Sequence, residues 1–189
     1  MTRPFKVGVV HGRFQPFHND HLKFILVAFE RADMMYVGIT NPDPNLTADD
    51  KADSNRSKHF ANPYTYFERV EMLHRALPQA GIDPMRFRIV PFPINYPQLL
   101  ANYCPADAVF FHTIYDAWGD RKKELMESVG LNVEVLWKKP ESEKGINASQ
   151  IRNKIVANEP WEDMVPQAVA DYLKSAGLDS RIREIYKKQ

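Results

Sequence analysis

Apolar residues fall into five short runs spaced along the chain. The runs are nearly continuous rather than alternating, which is typical of parallel strands covered on both faces. They lie at Phe5–Val10, Met34–Ile39, Phe87–Phe92, Ala108–His112 and Leu131–Trp137. The pattern predicts five parallel β-strands.

Amphipathic stretches lie between these runs. The first has one apolar face at helical spacing, formed by Leu22, Ile25, Leu26 and Phe29. A capping box of Thr65 and Glu68 predicts the start of a second helix, which ends near Gly81. Further helices are predicted from Pro97 and over Asp120–Gly130.

Repeated strand–helix units predict a parallel sheet with right-handed crossovers. We therefore expect one α/β domain over residues 1–189, with a doubly wound (Rossmann-like) five-stranded sheet and helices on both faces. A helical C-terminal part is expected over 161–189, and the long polar segment 41–62 is predicted to be a mobile loop. Sheets of this kind bind ligands at the carboxyl ends of their strands, where the strand order reverses.

Composition narrows the function classes. The chain has 189 residues, 44% hydrophobic and 26% charged, with a formal net charge of +1, so it gives no electrostatic reason to expect nucleic acid or a membrane as partner. A single cysteine, Cys104, excludes an internal disulfide and a multi-cysteine metal site. With no membrane span or signal-peptide pattern, we expect a cytoplasmic protein.

Residues 12–21, which read GRFQPFHNDH, connect the first strand to the first helix. Helix N-termini attract phosphate, and His18 and His21 project from neighbouring points of the first turn. The segment therefore predicts a nucleotide phosphate site. The alternative is that His18 only caps the helix and His21 is a polar surface residue. A zinc pair is disfavoured because no HExxH pattern follows and no third ligand is apparent.

A second candidate phosphate site lies at Ser149–Arg152. Ser149 is a candidate N-cap for a helix that runs to about Asn158, and Arg152 in its first turn has a guanidinium suited to phosphate oxygens. Taken alone, these residues also fit a capped helix with an exposed arginine. Two such helix N-termini in one α/β chain fit a triphosphate held between them, with Arg13 as a further cation.

Three segments together resemble the HxGH nucleotidylyltransferase superfamily. They are residues 12–21, Asn62–Arg69 and Ile146–Arg152, in that order, and the third corresponds to the ISxTxIR-type motif of the superfamily. The chain is most similar to the archaeal-type nicotinamide mononucleotide (NMN) adenylyltransferases, also in the segment that follows from Trp161.

The resemblance implies transfer of AMP from ATP to the phosphate of NMN, with release of pyrophosphate and formation of NAD. It implies Mg²⁺ bound with ATP, mostly through water, without a dedicated protein site for the metal. The residues implied in catalysis are His18, His21 and Arg152. Those implied in nucleotide binding are Gly12, Arg13, Phe14, Ser149 and Arg152, and the family is associated with homo-oligomers.

Candidate acceptor-binding residues follow the ends of predicted strands. Tyr115 and Trp118 could stack on a base or a pyridine ring. Asn95 lies in a loop after a strand and could hydrogen-bond to a substrate. Arg69, in the first turns of the capping-box helix, could bind phosphate or lie at the surface.

The sequence also departs from the family pattern, most clearly at Asp20, where the HxGH motif has glycine. A carboxylate there would have to point outward, cap the helix or meet Mg²⁺. These departures leave open an adenylyl- or cytidylyltransferase with a different phosphorylated acceptor, or a catalytically silent nucleotide-binding module. An NAD-dependent oxidoreductase is disfavoured because no GxGxxG pattern follows the first strand.

Overall fold

The computed structural model describes residues 3–43 and 59–187, in which five strands form one parallel sheet. The strands are β1 (Phe5–Gly12), β2 (Ala32–Thr40), β3 (Phe87–Phe92), β4 (Val109–Ile114) and β5 (Asn132–Lys138). Each begins and ends within two residues of its predicted limits. The predicted fold class, a Rossmann-like α/β fold with a five-stranded parallel sheet and C-terminal helices, is confirmed.

The strand order is β3-β2-β1-β4-β5. The chain builds outward from β1 through β2 to β3 and then returns to the other side of β1 for β4 and β5. The strand order therefore reverses between β1 and β4. Gly12 is the last residue of β1 and lies at the carboxyl end of this strand, beside the reversal. Ligands of open α/β sheets bind beside such a reversal.

The helices follow the sequence pattern with some corrections. They are α1 (Asn19–Phe29), α2 (Tyr66–Gln79), α3 (Ala117–Ser128), α4 (Ala148–Ala157), α5 (Gln167–Ser175) and α6 (Leu178–Lys187). The capping box of Thr65 and Glu68 at the start of α2 is confirmed, with both reciprocal hydrogen bonds present. The segment predicted as a helix from Pro97 is a short 3₁₀ helix, Pro97–Asn102, since Pro105 disfavours its extension.

Two predicted helix starts were wrong. α3 begins three residues before Asp120 because the Asp116 carboxylate accepts a hydrogen bond from the backbone N–H of Gly119 at 2.9 Å. α4 is capped by Asn147 rather than by Ser149. The Asn147 amide oxygen accepts from the backbone N–H of Gln150, and the Gln150 amide oxygen accepts from the backbone N–H of Asn147, both at 3.0 Å.

The described residues group into two compact units. The first, called the sheet unit, takes the described parts of Met1–Gly12, Lys23–Thr47 and Met85–Gly145. The second, called the helical unit, takes those of Arg13–Leu22, Ala48–Pro84 and Ile146–Gln189. A single domain over 1–189 stays a prediction. Residues 44–58 of the predicted loop lie outside the described residues, and His59–Ala61 forms a 3₁₀ helix.

Gly38 in β2 permits a close contact inside the sheet unit. A Cβ atom at this position would lie 2.5 Å from Cδ2 of Phe92 and 2.8 Å from its Cβ and Cγ. The missing side chain lets the Phe92 ring lie over β2, where it stacks on His11 of β1 with the ring centroids 4.7 Å apart. Phe92 also belongs to a buried cluster with Val9 and Phe110.

No helix in the described parts of the chain is long and apolar enough to span a membrane.

Candidate active site

The two histidines of residues 12–21 lie against each other at the start of α1, in the helical unit. Their rings stack with centroids 3.6 Å apart. Nδ1 of His18 accepts a hydrogen bond from the backbone N–H of His21 at 3.4 Å, which is the contact that an N-cap side chain makes with the third helical residue. His18 therefore does cap the helix, as the alternative interpretation predicted. The other half of that alternative was wrong, because His21 is half-buried against His18 rather than a surface residue.

Both imidazoles are neutral at neutral pH. Burial lowers the pKa of His18 from 6.5 to about 4, although the Asp20 carboxylate opposes this change. Burial is also the main reason why the pKa of His21 lies well below its ordinary value, and the charges of His18 and Arg13 lower it further. Because Nδ1 of His18 accepts a bond, the neutral ring carries its proton on Nε2. Nε2 can then donate to an anionic oxygen without bringing a full positive charge.

The turn before α1 is packed tightly around these rings. Phe14 adopts a left-handed backbone conformation, with φ at 53°, and its buried ring meets His21 edge-on at a centroid distance of 5.0 Å. The buried ring of Phe17 stacks on the same histidine at 5.9 Å. Phe14, expected to bind the nucleotide, thus buries its ring beneath His21. A left-handed non-glycine residue is costly and persists where its surroundings fix it.

Gln15 fixes the turn from inside the helical unit. Its side-chain amide donates to the backbone carbonyl of Tyr64 and accepts from the N–H of the same residue, both at 2.9 Å. Gln15 is 1% exposed, so its polar atoms depend on these partners. Residue spacing gave no sign of this pair, although a glutamine beside proline in an otherwise apolar turn could have suggested a buried contact.

Arg152 lies inside the helical unit rather than on a helix surface. It is 2% exposed, and its three guanidinium nitrogens donate to the Gln15 carbonyl at 2.6 Å, to Ser149 Oγ at 3.1 Å and to the Tyr186 hydroxyl at 3.3 Å. The alternative of an exposed arginine was wrong. The structure brings Arg152 and Ser149 together with the histidine-bearing turn, while their contact with a triphosphate stays a prediction.

Arg69 has a comparable role at the other end of the turn. It is 2% exposed and donates to the backbone carbonyl of Arg13 at 3.0 Å and to that of Thr65 at 3.2 Å. Burial lowers the pKa of its guanidinium from 12.5 to about 10. The alternative of a surface position for Arg69 was wrong. Arg69 and Arg152 each hold one carbonyl of the turn, so the turn is preorganised by two buried cations.

Asp20 points neither outward nor at its own helix N-terminus. Its carboxylate oxygen accepts a hydrogen bond from the backbone N–H of Ile146 at 2.7 Å. Ile146 immediately precedes Asn147, the N-cap of α4. The departure from the family pattern therefore connects the first turn of α1 to the start of α4.

The sheet unit contains three of the four candidate acceptor residues, Asn95, Tyr115 and Trp118, whereas Arg69 lies in the helical unit. The Tyr115 hydroxyl accepts a hydrogen bond from Nε1 of Trp137 at 2.7 Å. The Trp118 ring has two cations of its own helix over it, Arg121 at 5.7 Å and Lys122 at 5.5 Å. Asn95 is half-buried in the turn that follows β3. Their roles in acceptor binding stay predictions.

A pair of histidines at the reversal of strand order was missed in the sequence. His11 on β1 and His112 on β4 lie parallel with centroids 5.8 Å apart, which extends the stack of Phe92 and His11 across the sheet. A nitrogen of His112 lies 3.0 Å from the Gly119 carbonyl, and burial lowers the pKa of this histidine to about 4. Their positions at the ends of two apolar runs were the available signal.

Among the residues that the structure describes, no group of three or more His, Cys, Asp or Glu side chains is placed to hold a metal ion. The donors assembled in the helical unit are instead imidazoles, guanidiniums and the N-termini of α1 and α4. Donors of this kind suit phosphate oxygens.

Comparisons with known proteins agree with this chemistry. A family model described as cytidylyltransferase-like matches residues 9–154. The chain is 46% identical to a phosphonoformate cytidylyltransferase from Streptomyces viridochromogenes over 93% of this chain and 95% of the relative. It is 33% identical to a nicotinamide-nucleotide adenylyltransferase from Pyrococcus horikoshii over 94% of this chain and 88% of the relative.

Among solved structures, it resembles a bifunctional NMN adenylyltransferase/ADP ribose pyrophosphatase from Francisella tularensis. The TM-score is 0.64 at 16% identity, over 89% of this chain and 50% of that one, so the likeness supports the fold. The chain spans half the length of that protein. The family match and the curated relatives together cover nearly the whole chain, including all three motifs. The chain therefore belongs to the cytidylyltransferase-like family within the HxGH nucleotidylyltransferases, as its motifs predicted.

Proposed function

We propose that this protein transfers CMP from CTP to a small phosphonate related to phosphonoformate, with release of pyrophosphate. The observation that carries the proposal is the 46% identity, over nearly the full length of both chains, to a phosphonoformate cytidylyltransferase. The identity to the nicotinamide-nucleotide adenylyltransferase is 33% over a comparable length. This proposal replaces AMP transfer to NMN as the preferred function.

The reaction is a displacement at phosphorus. A phosphonate oxygen of the acceptor forms a bond to the α-phosphorus of CTP, and the bond from that phosphorus to the bridging oxygen of the β-phosphate breaks. Pyrophosphate leaves with the electron pair, and no oxidant or covalent enzyme intermediate is needed. Positioning and charge stabilisation supply most of the catalysis in such transfers.

In the proposed mechanism, the neutral histidines donate hydrogen bonds to phosphate oxygens. His18 has Nε2–H available because its Nδ1 is engaged by the backbone of His21. His21 is assigned to stabilising the transition state. Binding of the triphosphate is assigned to Arg13, Ser149 and Arg152. CTP is taken as its magnesium complex, in which the metal neutralises part of the phosphate charge.

The sheet unit holds cations beside one of the candidate acceptor residues. Arg121 lies 5.7 Å and Lys122 lies 5.5 Å from the centroid of the Trp118 ring. A small phosphonate that carries a carboxylate needs hydrogen bonds and cations, and these side chains are cations in this region.

The deciding experiment is pyrophosphate release by the purified protein with Mg²⁺. CTP and ATP are each tested with phosphonoformate, with NMN and without an acceptor. We expect release that requires both CTP and phosphonoformate, with the cytidylylated product identified by mass spectrometry. Release that requires ATP and NMN would restore the adenylyltransferase, and nucleotide binding without release would indicate a silent module.

A matched pair of variants connects that activity to the site. His21→Ala should abolish most pyrophosphate release. In contrast, His74→Ala, which changes an exposed histidine on α2, should leave release within about twofold of wild type.

Homo-oligomer formation stays a prediction that light scattering of the same preparation can test.

A further inference from the structure

We propose that Asp20 is a positioning residue for the transfer reaction. Its carboxylate holds the start of α4 at a fixed place relative to the first turn of α1. The inference rests on the proposed function for its kinetic consequence, whereas the contact itself is visible in the structure. Asp20 and the start of α4 both belong to the helical unit.

The contact joins two points that are 126 residues apart in the chain. Asp20 is the second residue of α1, between His18 and His21, and its Oδ2 lies 2.7 Å from the backbone nitrogen of Ile146. A carboxylate that accepts from a backbone N–H forms a charge-assisted bond, stronger than a neutral one. One residue later, Asn147 caps α4. The bond therefore acts on the position at which the chain enters α4.

Another connection joins the turn before α1 to α4, deeper in that helix. Arg152 donates to the Gln15 carbonyl from the fifth residue of the helix. Farther along, Arg183 donates to the Ile155 carbonyl at 3.0 Å, so these contacts hold the middle and the later part of α4. Asp20 supplies a contact at the start of the helix, and the N–H groups of the first α4 turn are the part of the helix best suited to bind phosphate.

The neighbouring residue provides a matched control. The Asn19 side chain donates to the Asp163 carbonyl at 2.8 Å, a bond of similar length from the same turn of α1 that leads to the segment after α4. Loss of the Asn19 bond should cost stability as loss of the Asp20 bond does. It should leave the entry to α4 in place.

The test compares Asp20→Ala, Asp20→Asn and Asn19→Ala with wild type. The asparagine variant retains an oxygen that can accept from Ile146. We expect Asp20→Ala to lower kcat about 10- to 100-fold, because a misplacement near 1 Å can cost about 100-fold in such reactions. We expect KM for CTP to change less than kcat, and both Asp20→Asn and Asn19→Ala to remain within about fivefold of wild-type kcat.

Hydrogen exchange over residues 145–150 supplies a readout that does not need turnover. Exchange should be faster in Asp20→Ala by at least about tenfold, and close to wild type in the other two variants. Exchange that is unchanged in Asp20→Ala would overturn the proposal. An equal loss of kcat in Asp20→Ala and Asn19→Ala, or in Asp20→Ala and Asp20→Asn, would also overturn it. If wild type transfers no CMP, the proposed function fails, and the exchange rates still decide whether Asp20 fixes α4.

Discussion

The neutral state of His18 leads to a prediction about stability and pH. The folded protein holds the pKa of this buried imidazole at about 4, whereas the unfolded chain has the ordinary value of 6.5. Between these two values the unfolded chain binds a proton that the folded chain does not. Stability contributed by the neutral ring is therefore fully present above pH 6.5 and is lost as the pH falls from there towards 4.

The size of the effect follows from the two pKa values. At 1.36 kcal/mol per pKa unit, the complete loss is roughly 3 kcal/mol, and about 2 kcal/mol of it is lost by pH 5. His18 is 4% exposed, so solvent screening reduces this figure little. Other groups titrate in the same range, and a variant that lacks only this imidazole is needed to isolate its part.

His18→Asn is suited to this purpose because asparagine is a preferred N-cap and its oxygen can accept from His21 as Nδ1 does. The assay is guanidinium unfolding of wild type and variant at about pH 7.5 and about pH 5. The variant should lose about 2 kcal/mol less than wild type between these two conditions. A difference below about 0.5 kcal/mol would show that the His18 ring is not held neutral, and would refute its assignment as a neutral donor.

Three substitutions test the remaining reasoning. His21→Ala should lower turnover about 10²- to 10³-fold, as loss of one preorganised donor does, and a variant with near-wild-type turnover would contradict its role. Arg152→Ala should raise KM for the triphosphate more than KM for the acceptor. It should also lower the free energy of unfolding by about 3–5 kcal/mol, because it leaves the buried Gln15 carbonyl without its partner. Unfolding that matches wild type would contradict this structural role. Gly38→Ala should destabilise the protein by about 1–3 kcal/mol in thermal unfolding through the clash with Phe92, and thermal unfolding that matches wild type would contradict this close packing.

The sequence predicted the elements well because each depends on local pattern. The β3 limits agree with the prediction at both ends, since the run ends at the turn with Pro93. Thr65 and Glu68 identify the start of α2 because both partners of a capping box lie within four residues. The errors at α3 and α4 have the same local origin: Asp116 and Asn147 are caps as good as the residues chosen, and only the backbone shows which is used.

The contacts among the candidate site residues were predicted in part, while the roles of these residues stay predictions. His18 and His21 meet because helical spacing brings them together, and Ser149 meets Arg152 for the same reason. Gln15–Tyr64 and Asp20–Ile146 are paired across 49 and 126 residues. In each of these pairs a side chain binds a backbone group. Every residue has a backbone, so the residue type of the partner gives no indication of the contact.

The cations of the helical unit also limit how this protein attracts its substrates. Arg69 and Arg152 are buried and donate to backbone carbonyls, and the net charge of the chain is +1. Long-range attraction of a triphosphate is therefore weak, and the histidines add no positive charge at neutral pH. Selection among anions must then depend on hydrogen bonds at fixed positions. That requirement explains why the turn between β1 and α1 is held by buried arginines and by Gln15, and why a contact such as that of Asp20 can affect the rate without touching a substrate.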